Sequence, residues 1–278
     1  MEFQIDLEKL RQKTQNSILS IKMIETIKKS IGIISEYGFW IFLKKSFGFF
    51  LRKMEPLKVF IIPYAKKYIE NINTENYSVD SLINFVFYKL CGIIKPAQVK
   101  SEITKLVTII KELRPENILE IGTARGGTLF LFSQLSSPNA HIISIDLPGG
   151  KFGGGYSKHR TSLYKTFVKK NQKIDLLRVD SHADSSIKKL KELIGNNKLD
   201  FLFIDGDHTY DGVKRDFELY SPFVRQGGII ALHDIAIHPK KSGCTVNLFW
   251  DEIKKNYKYL EFIENKNQKW AGIGVLYV

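Results

Sequence analysis

From Ser101 onward, short apolar runs alternate with longer stretches of mixed polarity. The first is a predicted helix running to about Leu113, stopped by Pro115. Apolar runs then recur at Asn117 to Ile121, His141 to Ile145, Ile174 to Val179, Leu199 to Ile204 and Gly228 to Leu232. Buried strands separated by helices predict an α/β fold with a mostly parallel sheet. Tyr259 to Ile263 and Gly272 to Val278 would close it as an antiparallel pair, giving seven strands with helices on both faces.

The first ninety residues follow another rhythm. Tyr37, Phe39, Trp40, Phe42, Phe47, Phe49 and Phe50 sit among Lys44, Lys45, Arg52 and Lys53, with Lys44, Gly48 and Arg52 recurring every four residues. This predicts a helical, basic and aromatic extension over residues 1–95, broken by Pro56 and Pro63, ahead of a catalytic domain over 96–278. Residues 31–66 suit either peripheral contact with a membrane surface or packing on the core or on a second copy in a homo-oligomer. Ile31 to Phe50 carries Glu36, Lys44 and Lys45, which argues against a spanning helix, and Met1 to Leu10 does not read as a secretory signal.

Composition adds direction. The chain has 278 residues and a formal charge of +13, and residues 1–100 hold sixteen basic against nine acidic groups, so anionic partners are favoured and the bias lies early. Cys91 and Cys244 stand far apart without zinc-type spacing, consistent with a reducing cytoplasm, where the protein would be free or peripheral on the inner membrane face.

The chemistry gathers at the strand ends. The first strand runs into Glu120-Ile-Gly122-Thr123-Ala124-Arg-Gly126-Gly127, a glycine turn before a helix. Its GxxxG spacing differs from the GxGxxG of dinucleotide sites, and an acid two residues before it suits a cationic ligand better than a pyrophosphate. That makes an NAD-dependent oxidoreductase the least favoured reading. Asp146, twenty-four residues after Gly122, ends the second strand where a carboxylate can take ribose hydroxyls. Asp180, Ser181 and His182 follow the third strand, where an adenine edge would be met, although Asp180 could equally cap the next helix. Asp205 and Asp234 end the fourth and fifth strands, and His233 stands beside the latter. Two carboxylates brought to one edge call for a cation. Gly149 to Gly155 places five glycines in seven positions, either a closing loop or a permissive connector, with His159 and Arg160 just after it. His141 and His238 read as structural or surface residues.

Glu120-x-Gly122-x-x-x-Gly126, Asp146, the Phe203-Ile-Asp-Gly-Asp-His-Thr-Tyr210 block and Gly227-Gly-Ile-Ile-Ala-Leu-His-Asp234 resemble class I S-adenosylmethionine-dependent methyltransferases, in the group of cephalosporin hydroxylase-like proteins and macrolide-sugar O-methyltransferases. The resemblance covers about residues 97–278. It implies a Rossmann-like methyltransferase domain and O-methylation of a small molecule or glycan. S-adenosylmethionine would be held by Glu120, Gly122, Thr123, Ala124, Gly126, Asp146, Asp180, Ser181, His182 and Asp205. It further implies a metal, Mg²⁺ or Mn²⁺, on Asp205, His233 and Asp234, with His208 as general base beside Asp205. His233 departs from the acid common at that place and favours a softer ion. Two other functions fit less well: a nucleic-acid methyltransferase, which lacks its catalytic motif here, and a non-catalytic membrane-associated scaffold retaining a vestigial cofactor fold.

Overall fold

The computed structural model describes residues 55–73, 77–149 and 155–278. The extension before residue 55, with most of the expected membrane-contact segment, and the centre of the glycine-rich loop lie outside them. Residues 58–278 form one compact unit.

Three helices come first: α1 (Glu55–Ile72), α2 (Val79–Tyr88) and α3 (Lys100–Leu113). Pro63 lies inside α1 and does not end it, contrary to the sequence expectation. The missing proline N–H weakens one turn, but Ile62, Ala65, Ile69 and Ile72 are buried, and their packing holds the helix together. In α3, Ile103, Leu106, Val107 and Ile110 are fully buried at i, i+3, i+4 and i+7, one helical face turned to the core.

The rest alternates as β1 (Asn117–Ile121), α4 (Gly127–Leu135), β2 (His141–Ile145), the one-turn α5 (Thr161–Tyr164), β3 (Lys173–Leu177), α6 (Asp184–Ile194), β4 (Leu199–Ile204), α7 (Tyr210–Tyr220), β5 (Val224–His233), α8 (Val246–Ile253), β6 (Lys258–Phe262) and β7 (Ile273–Tyr277). The sheet order is β3-β2-β1-β4-β5-β7-β6. Strands β1 to β5 pair parallel, and β7 runs antiparallel to β5 and β6. Period-two alternation builds a core on each face. Ile118, Phe201 and Phe203 pack with α2, α3 and α4, while Leu119, Leu202, Ile204 and Leu232 pack with α6, α7 and α8.

This order positions the site. After β1 the chain winds one way to β2 and β3, and the other half winds the opposite way through β4 and β5. The crevice beyond β1 and β4 is therefore a topological switch point, where open α/β sheets bind ligands. Register completes the placement: Ile121 pairs with Ile204, and Ile204 with Leu232, so Gly122, Asp205 and His233 emerge side by side.

Candidate active site

The glycine turn is shaped by contacts that allow no side chain. Gly122 has φ +86°, and a Cβ there would lie 2.0 Å from the Asp205 carbonyl oxygen. Gly126 has φ +78°, and its Cβ would meet the Tyr164 ring at 2.7 Å, while the Tyr164 hydroxyl donates to Ala124 O at 2.7 Å. Asp146 secures the turn from the neighbouring strand, its Oδ2 accepting from Thr123 N at 2.9 Å and Ala124 N at 2.8 Å. Burial raises the Asp146 pKa.

Glu120 lies beneath this turn, fully buried. Thr123 Oγ1 donates to its Oε2 at 2.8 Å and lies 2.5 Å from Ser144 Oγ, whereas Oε1 has no hydrogen-bond partner. Burial pushes the Glu120 carboxyl up to about 8, so it is largely neutral at pH 7.

Beyond β3 the loop differs from the capping expectation. The N-cap of α6 is Ala183, not Asp180; Asp180 Oδ1 accepts from His182 N at 2.9 Å in a local turn. His182 Nε2 lies 3.2 Å from Asp216 Oδ1 of α7, and Tyr220 donates to Ser181 O at 2.6 Å, so the expected adenine-facing segment is fastened to α7.

The acidic edge is built around Asp234, whose backbone takes φ +63°. Ala124 and Ala271 also adopt left-handed backbone, so three strained residues meet at this site, each costing on the order of 1–2 kcal/mol. His208 Nδ1 shares a hydrogen bond with Asp234 Oδ2. Asp234 Oδ1 accepts from Ala271 N at 3.2 Å and lies 3.4 Å from His233 Nδ1 and 3.2 Å from His238 Nε2. His233 Nδ1 also reaches Asp205 Oδ1 at 3.0 Å, and Gln98 donates to Asp205 Oδ2 at 2.7 Å.

Charges here compensate locally. Burial works against the cationic form of His208, but its bonds to Asp234 and Cys244 and the nearby Asp205 charge outweigh burial and lift it to about 11. His233 rises to about 9, the charges of Asp205 and Asp234 overcoming its burial. Burial opposes ionisation of Asp234, yet His233 and His208 hold its pKa well below the usual carboxylate range. Buried carboxylates are thus neutralised by imidazolium protons.

The structure brings Glu120, Gly122, Thr123, Ala124, Gly126 and Asp146 together at the turn, and Asp205, His208, His233 and Asp234 at the adjoining edge. Asp180, Ser181 and His182 form the loop beyond β3. Sequence reasoning missed Gln98, Cys244 and the role of His238, whose four-residue spacing from Asp234 was the available signal. Arg160, just after the glycine-rich loop, is buried and donates to Ile93 O at 2.8 Å. The N-cap of α7 is Thr209.

Sheet order, switch point and glycine turn together define a Rossmann-like α/β domain with its ligand crevice at the ends of β1 and β4. Residues 119–235 match the family model described as "Methyltransferase domain". An uncharacterized protein of Acanthamoeba polyphaga mimivirus is 35% identical over 119 residues, 42% of this chain and 50% of that protein. Another from Sinorhizobium fredii is 26% identical over 149 residues, 52% of this chain and 16% of that protein. The chain therefore spans half or less of the curated relatives it matches. Among solved structures, an O-methyltransferase from Bacillus cereus in complex with SAH has a TM-score of 0.49 at 16% identity, covering 78% of this chain and 100% of that one.

Proposed function

We propose that the protein transfers the methyl group of S-adenosylmethionine to a hydroxyl of a small molecule or glycan. One observation carries this reading. Gly122 abuts Asp205 so closely that the cofactor turn and the His208–Asp234 pair belong to one continuous site.

The turn fits the methyl donor. Its glycines let the backbone turn tightly against Asp205 and Tyr164, Asp146 is the candidate for the ribose, and the buried Glu120 Oε1 lacks a partner. In the transfer, the acceptor oxygen forms its bond to the methyl carbon as the sulfur–carbon bond breaks. The sulfonium becomes a thioether and the hydroxyl proton passes to the His208 ring. Asp234 orients that ring and balances its charge. His208 acts as base only in its neutral form, reached when competing positive charge relieves its bond to Asp234.

Asp205, His233 and Asp234 also fit a divalent cation, with ligand atoms within 4.8 Å of one another. The buried His233 Nε2 has no partner, and a mixed imidazole and carboxylate set suits Mn²⁺ better than Mg²⁺. Such an ion would polarise the acceptor hydroxyl and supply the positive charge that the imidazolium protons supply here.

The test is calorimetric titration with S-adenosylhomocysteine, with and without Mn²⁺, on wild type, Asp146→Asn and His208→Gln. Expected are saturable binding, loss on Asp146→Asn, and retention on His208→Gln, with turnover of an acceptor found by screening falling about 10²–10⁴-fold in the latter. A folded wild-type protein that does not bind would refute the methyltransferase reading.

A further inference from the structure

On the side of the sheet away from the strand ends carrying the site, an open cavity of about 350 Å³ lies where α2, α3 and α4 converge. Lys111, Arg114 and Lys169 line it together with Tyr77, Gln134 and Ser136, and no Asp or Glu is among the described lining residues. Three cations around one cavity repel each other unless something negative joins them.

The helix ends account for only part of this charge. α3 and α4 both finish here, and their terminal carbonyls attract cations. Lys169 answers one of them, donating from Nζ to Gln134 O at 2.7 Å. Its ammonium is half-buried, and burial lowers its pKa. Lys111 and Arg114 form no ion pair with a described carboxylate and lie three residues apart, on neighbouring positions of the last turn of α3.

Arg114 is the more telling residue. It is the C-cap of α3 at φ +48° and ψ +55°, a left-handed position that glycine or asparagine fills at far lower cost. A glycine here would favour stability, so an arginine at this place is explained by what its side chain does in the cavity. Its planar fork matches two oxygens of a phosphate, and flanking lysines supply the remaining charge.

We propose that this cavity is an anion site, separate from the methyl-transfer centre, that takes a phosphate group carried by a small metabolite or a lipid headgroup. The volume sits at the lower end of small-ligand pockets, enough for one phosphorylated group.

The experiment uses the full chain without divalent ions. Pyrophosphate is titrated calorimetrically at low salt into wild type, Arg114→Gly, Lys169→Met and a charge-matched control, Lys188→Met, on an exposed face. Sedimentation with vesicles of phosphatidic acid in phosphatidylcholine, against phosphatidylcholine alone, runs in parallel. The expected result is saturable binding that weakens about tenfold or more in Arg114→Gly and Lys169→Met but not in Lys188→Met. The melting temperature of Arg114→Gly should equal or exceed wild type. Loss confined to pyrophosphate identifies a soluble ligand, and loss confined to the acidic vesicles identifies a headgroup. A folded Arg114→Gly protein that behaves as wild type with both probes, or a wild type that binds neither, overturns the proposal.

Discussion

Glu120 shows how a single residue can be placed correctly by sequence and still change character on folding. Its position before the glycine turn was legible, and a charged acid facing a cation was the expectation. The fold buries it completely and raises its pKa to about 8. Folded protein therefore keeps a proton that the unfolded chain releases near the ordinary value of 4.5. The contribution of Glu120 to stability is fully present below that pH and is lost as pH rises through about 8. Glu120→Gln should remove this slope, matching wild type near pH 4 and melting at a higher temperature at pH 8.5, as followed by circular dichroism. Gly122 makes a simpler prediction. Gly122→Ala adds a strained φ and a contact at 2.0 Å, and should cost on the order of 3 kcal/mol by urea unfolding, with weakened S-adenosylhomocysteine binding.

Elements were predicted well wherever an apolar run was bounded by its own punctuation. β1, β2 and β4 occupy the expected residues because each is a compact apolar run with a turn after it. β3 starts at Lys173 and ends at Leu177, short of Val179, since the chain must turn to fasten Ser181 and His182 onto α7. β5 begins at Val224 rather than Gly228, its polar start being carried by pairing with β4. α7 stops at Tyr220, where Pro222 begins a tighter turn. Its start depends on Thr209, whose side chain accepts from Gly212 N at 3.0 Å. Thr209→Ala should lower stability by about 1 kcal/mol in chemical denaturation. As α7 also holds Asp216 against His182, the same variant tests how far this cap steadies the loop beyond β3.

At the scale of the whole molecule, the helices before residue 95 share the core of the sheet. Phe130 of α4 stands 5.2 Å from Phe85 of α2 and 5.3 Å from Phe167, ring centre to ring centre, and is fully buried. Phe130→Ala should cost about 3–5 kcal/mol. Because residues 58–278 are one unit, the loss should appear as a lower denaturant midpoint in one cooperative transition, tracked by fluorescence and circular dichroism together. Two separate transitions would contradict the shared core. No helix among the described residues is long and apolar enough to cross a membrane.

The sequence by itself determined the alternation of strands and helices, the glycine turn, and which strands end in acids, because hydrophobic period and backbone permissiveness are local properties. Tertiary structure alone decided that His238 faces Asp234, that Gln98 holds Asp205, that Arg160 is buried, and that three cations converge behind the sheet. Those facts depend on strand order and register, which bring together residues up to 107 positions apart, as with Gln98 and Asp205. The protonation of the site was likewise beyond the sequence, since a pKa answers to burial and neighbouring charge, and both exist only once the chain has folded.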